Sequence, residues 1–87
     1  MIKHLKIKGR VQGVGYRYSM VEKADHLNIK GWVRNCPDGS VEAVLAGPPE
    51  KVDEMILWAK QGPSFATVND VDVSDTQGEF FSFEIKM

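Results

Sequence analysis

The order of apolar and polar residues predicts an α+β fold of pattern βαββαβ, followed by one short last strand. Three observations carry that prediction. Stretches at both ends of the chain alternate apolar and polar residues with the period of a half-buried strand. Two internal stretches carry apolar residues at the three-and-four spacing of an amphipathic helix. Between two further strand-like runs lies Pro37-Asp38-Gly39, a turn sequence that joins them as a hairpin.

Taken in order, Ile2 to Gly9 sets Leu5 and Ile7 on one face and His4, Lys6 and Lys8 on the other. Tyr16 to Leu27 brings Met20, Val21, Ala24 and Leu27 to one side of a helix, with Glu22, Lys23 and Asp25 outside. Ile29 to Cys36 and Ser40 to Ala46 form the hairpin. Gly47-Pro48-Pro49 ends its second strand and supplies proline where a helix can start. Val52, Met55, Ile56 and Ala59 are the stripe of that helix, which stops near Gly62-Pro63. Val68 to Val73 and Phe80 to Ile85 are the closing strands, with Phe81, Phe83 and Ile85 alternating against Ser82, Glu84 and Lys86. This is the split βαβ pattern of a ferredoxin-like α/β sandwich, an antiparallel sheet with two helices on one face. The expectation is one domain over residues 1–87, without internal repeat, linker or low-complexity tract. That fold hosts many unrelated functions, so function must be read from a site.

Composition narrows the field. The net charge of −1 argues against a nucleic-acid or anionic-membrane surface as the main partner. Positive potential must therefore be local, and the only arginines are Arg10, Arg17 and Arg34. A single cysteine, Cys36, excludes an intrachain disulfide and a thiolate zinc cluster. The first residues alternate instead of forming an apolar block, and no apolar run approaches the ~20 residues that span a bilayer. A cytoplasmic monomer is the expectation.

Residues 9 to 17 read Gly-Arg-Val-Gln-Gly-Val-Gly-Tyr-Arg, at the junction of the first strand and first helix. A glycine-rich loop there can turn backbone N–H groups inward as an anion cradle, and the helix start adds unpaired N–H groups and a positive dipole end. Arg17 would add a planar fork of donors suited to phosphate. No Gly-Lys-Ser/Thr follows, so this is not a nucleoside-triphosphate loop, and the third glycine of a dinucleotide loop is missing, with Tyr18 in its place. A tight turn needing positive φ would explain one or two glycines. It explains neither three nor an arginine at a helix start, which the dipole disfavours unless an anion offsets it.

Residues 31 to 47 carry a second motif in Gly31, Trp32, Val33, Arg34, Asn35, Gly39, Val41 and Gly47. Together the two segments closely resemble the two motifs of the acylphosphatase family, and Gly62-Pro63, Ala66, Val68 and the ending Phe83-Glu84-Ile85 extend the likeness over essentially the whole chain. The resemblance implies hydrolysis of the carboxyl–phosphate bond of small acyl phosphates without metal or cofactor. It also implies that Arg17 binds the phosphoryl group, that Asn35 holds the attacking water, and that the backbone of Gln12, Gly13, Val14, Gly15 and Tyr16 completes the cradle.

The residue chemistry is compatible. Phosphoryl transfer asks for positioning and charge stabilisation, and a carboxylate leaves without a strong acid. No nucleophile–base arrangement is apparent, and asparagine cannot act as a base at neutral pH. Taken alone, Asn35 reads as an ordinary hairpin residue before Pro-Asp-Gly. His4 reads as solvated, His26 as a helix-end residue, Cys36 as a small semi-buried side chain and Trp58 as helix packing. Trp32 is left open between the bare sheet face and the rim of the site, and Arg10 and Arg34 between substrate steering and solvated charge. Two rivals stand beside the enzyme: a module that binds an anionic metabolite without turnover, and single-stranded RNA binding on the sheet face. The first strand offers the latter no aromatic residue.

Overall fold

Seven elements follow one another in the computed structural model, which describes residues 1–87. They are β1 (Ile2–Arg10), α1 (Tyr16–Leu27), β2 (Lys30–Asn35), β3 (Val41–Ala46), α2 (Pro49–Gln61), β4 (Thr67–Asp75) and β5 (Phe83–Ile85). Each coincides with an expected element, differing by a few residues at the ends. The strands lie in the order β4-β1-β3-β2-β5.

One edge departs from the expected antiparallel sheet. β5 pairs with β2 in parallel, Gly31 opposite Phe83 and Val33 opposite Ile85, so the sheet is mixed. The chain's route demands it. After β4 it crosses to the far edge along the end where β4 finished, so β5 runs opposite to β4. β2 also runs opposite to β4, through the antiparallel β4–β1, β1–β3 and β3–β2 pairings. β5 is also shorter than Phe80 to Ile85, and Phe81 is 84% exposed. β2 begins at Lys30, so residues before Ser82 have no strand beside them to pair with.

Both helices cover one face. Leu5, Ile7, Val33, Val41, Ala43 and Leu45 from the strands are fully buried with Met20, Ala24, Val52, Met55 and Ala59 from the helices. Each large apolar side chain so buried contributes roughly 1.5–3 kcal/mol. A register shift at Lys8 and Gly9 leaves Asn69 of β4 without an opposite residue. That extra residue lets Val68 and Val71, three apart, both pack on the core side.

The other face carries no helix and is mostly polar, with Val44 buried between His4 and Trp32. Glu42 hydrogen-bonds His4 Nε2 at 2.6 Å and accepts from Arg34 Nε at 2.6 Å. Trp32 lies on this face, with Lys86 Nζ 4.4 Å and Arg34 5.8 Å from its ring centre. The indole is thus away from the helix side, and His4 is half-buried with a partner instead of simply solvated.

The His4 hydrogen bond, with that from Arg34, holds the Glu42 carboxyl below its ordinary value, against the opposing effect of partial burial. A carboxylate depressed in the folded state stabilises the fold above its unfolded pKa of about 4.3, and that stabilisation is lost as pH falls through the lower folded value. Glu42→Gln should therefore lower Tm at neutral pH and flatten the decline of Tm below about pH 4.3. Thermal melts of both proteins between neutral pH and acid test this, and parallel pH curves would count against it.

Candidate active site

The loop between β1 and α1 is shaped by two left-handed glycines. Gly13 has φ 72° and Gly15, the residue before the helix, φ 80° and ψ 14°. A Cβ added at either would meet no atom within 4 Å, so backbone conformation and not crowding calls for glycine. The space over the loop is open.

The loop's donors are free. No side chain caps α1 and its first turn holds no acidic residue. The backbone N–H groups from Gln12 to Gly15 donate to no other group of the protein, and the first helical bond runs from Ser19 N–H to the Gly15 carbonyl at 3.0 Å. The N–H groups of the first turn of α1 are likewise left over, as at any helix start without a cap.

Two side chains anchor this backbone from below. Val14 packs against the core. Tyr16 is fully buried, its hydroxyl donates to the Ala59 carbonyl at 2.8 Å, and its ring meets Trp58 with centres 5.4 Å apart. Burial pushes its phenol well above the usual value. Both residues therefore offer a ligand only their backbone. Trp58 has the packing role expected of it.

Arg17, half-buried in the first turn of α1, takes part in no ion pair and no hydrogen bond within the protein. Asn35 ends β2 on the side shared with buried Val33, and its Oδ1 is buried without any hydrogen-bond partner. An unpaired buried carbonyl costs about 1–3 kcal/mol, so one that faces a site is a strong pointer to a ligand or water.

Chain direction brings these groups together. β1 and β2 run the same way on either side of β3, so the loop leaving β1, the start of α1 and the end of β2 share one edge of the sandwich. The contact is direct: Gln12 Nε2 donates to the carbonyls of Cys36 and Ser40, each at 2.8 Å. The motif implies a role for the Gln12 backbone alone, and no local pattern in the residues signals this side-chain contact. Arg34 is not part of the gathering, being engaged with Glu42 on the open face, and Arg10 is exposed at the end of β1. The largest surface cleft, about 500 Å³, lies along the helices beside His26 and Trp58 and includes neither Arg17 nor Asn35. A cradle of backbone donors needs no deep cavity.

The sequence profile of acylphosphatases matches residues 3–85. The chain belongs to the acylphosphatase family. Acyl-phosphate hydrolysis is the activity that membership brings. The acylphosphatase of Thiobacillus denitrificans is 56% identical over 93% of this chain and 91% of its own length. The crystal structure of acylphosphatase from Bacillus subtilis superposes with a TM-score of 0.92 at 34% identity, covering 100% of both chains. HypF of T. kodakarensis contains a similar region, with a TM-score of 0.84 and 29% identity over 99% of this chain but only 12% of that one. The two acylphosphatase motifs are thus the loop before α1 and the β2–β3 hairpin. Gly31, which opens the second motif, has φ 135°, and a Cβ there would collide with the Val44 carbonyl of β3.

Gly15→Ala should lower Tm by roughly 4–8 °C, from about 1 kcal/mol or more of left-handed strain in a small domain. Gly15→Asn should recover much of that loss, because asparagine tolerates the left-handed region. Equal melting of all three proteins would contradict the backbone requirement.

Proposed function

We propose that the chain hydrolyses small acyl phosphates by metal-free attack of a water held by Asn35 on a phosphoryl group held by Arg17 and the loop N–H groups. The observation that carries this reading is the buried, unpartnered Asn35 Oδ1 at the edge where the loop's free donors gather. In the reaction the water oxygen bonds to phosphorus, and the bond from phosphorus to the acyl oxygen breaks. The electron pair leaves with the carboxylate. A water proton passes to a phosphoryl oxygen, so the products are a carboxylate and inorganic phosphate.

Each group has a separate task. Loop N–H groups and the dipole of α1 bind the equatorial phosphoryl oxygens, whose charge must be balanced in the transition state. Arg17 contributes two parallel donors to the same oxygens. Asn35 accepts from the water through Oδ1 and points a water lone pair at phosphorus, which is orientation and not base catalysis. Substrate oxygens serve as proton acceptor, and every group invoked lies on one chain.

Arg17→Ala should lower kcat/KM by on the order of 10³-fold or more, and Arg17→Lys should restore little, because a point charge does not reproduce the fork. Asn35→Ala should lower kcat far more than it raises KM, since its target is the water. Phosphate release from benzoyl phosphate, with and without EDTA, measures all three variants. Near-normal turnover by Asn35→Ala, loss of wild-type turnover in EDTA, or phosphate binding by the wild type without turnover would each overturn the reading. A pH–rate profile governed by one enzyme group titrating near neutrality would overturn the substrate-assisted proton transfer.

A further inference from the structure

We propose that the side chain of Gln12 is a positioning residue, a strut that fixes the distance between the phosphate cradle and the water site of Asn35. The proposal rests on the hydrolytic reading of Arg17 and Asn35 and deepens it. Two segments far apart in sequence must cooperate in that reaction. One carries the loop N–H groups and Arg17; the other carries Asn35. Gln12 lies within the first segment, yet its Nε2 donates at 2.8 Å to the carbonyl of Cys36, the residue next to Asn35, and at 2.8 Å to that of Ser40. Both protons of one amide are spent on the hairpin that bears Asn35.

The hairpin end is stiff enough to pass on that constraint. Cys36 N–H donates to the Ser40 carbonyl at 2.9 Å, and Gly39 N–H to the Cys36 carbonyl at 3.1 Å. Asp38 Oδ1 accepts from Ser40 N–H at 3.0 Å and from its hydroxyl at 2.6 Å. Both carbonyls that hold Gln12 are therefore already fixed by the turn's own bonds. On the other side, the backbone N–H of Gln12 is one of the free donors of the cradle. One residue thus contributes to the cradle through its backbone and locates the hairpin through its side chain. In-line attack is sensitive to such placement, and an error of about 1 Å can cost about 10²-fold in rate.

The test compares wild type, Gln12→Met and Gln12→Ala, each alone and combined with Asn35→Ala, with benzoyl phosphate as substrate and inorganic phosphate as competitive inhibitor. Methionine keeps the length of the side chain and removes its donors. With a strut, both substitutions lower kcat by about 10- to 100-fold while the phosphate inhibition constant moves by less than about threefold. In the Asn35→Ala background the same substitutions add less than about twofold, because no held water remains to be aligned. Normal kcat in Gln12→Met, a phosphate constant that rises in step with the loss of kcat, or losses that multiply in the double variants would each overturn the strut. A further measurement needs no variant: in the wild type, the Gln12 side-chain amide protons should exchange slowly with solvent, and rapid exchange overturns the proposal. Full turnover by Asn35→Ala alone would overturn the hydrolytic reading and the strut together. Loss of turnover in Asn35→Ala but not in Gln12→Met would overturn the strut only.

Discussion

The candidate active-site edge depends on a run of backbone N–H groups that the fold leaves without partners in the protein. Buried peptide donors are nearly always paired, and helix starts are usually closed by a side chain. Here α1 is entered through left-handed Gly15, which has no side chain to cap it, and no acidic residue follows in the first turn. The donors of the loop and first turn therefore stay available to an anion. Arg17 fits the same arrangement. A cation at the positive end of a helix is unfavourable by itself, and becomes favourable once a phosphoryl group lies between the two.

Keeping that backbone open requires that it be held from elsewhere. Tyr16 does so from inside the core, through its ring, its hydroxyl bond to Ala59 and its contact with Trp58. Gln12 does so from the side, through the hairpin carbonyls. Neither anchor uses up a loop N–H group. The arrangement suits a reaction in which the protein supplies fixed dipoles instead of a nucleophile or a base. It also separates the two faces of the sheet. His4, Glu42, Arg34, Trp32 and Lys86 make a polar network on the face without helices, and that network steadies β2 and β3 without entering the site.

Most of the fold was legible in the residue order, because the alternation of Leu5 and Ile7 and the helical stripe of Met20, Ala24 and Leu27 each fix a local period. The direction of β5 was not legible. It follows from which edge the chain crosses to after β4, and periodicity is blind to that. Nor could alternation reveal that Phe81 lies outside the last strand, since pairing ends where β2 begins. Of the candidate site, the glycines and Arg17 gave residue chemistry alone a reason to expect an anion cradle. Asn35 did not, because an asparagine before Pro-Asp-Gly has an ordinary turn explanation.

The sequence by itself determined the βαββαβ order, the left-handed loop before α1 and the arginine that follows it, because these depend on local periodicity and on glycine's conformational freedom. Tertiary structure decided which distant groups share an edge. It buried the Asn35 carbonyl without a partner, turned Tyr16 into an anchor, sent Arg34 to the opposite face and joined Gln12 to the hairpin. The physical reason is strand direction: with β1 and β2 parallel across β3, the loop and the end of β2 must meet, and no local pattern encodes that meeting.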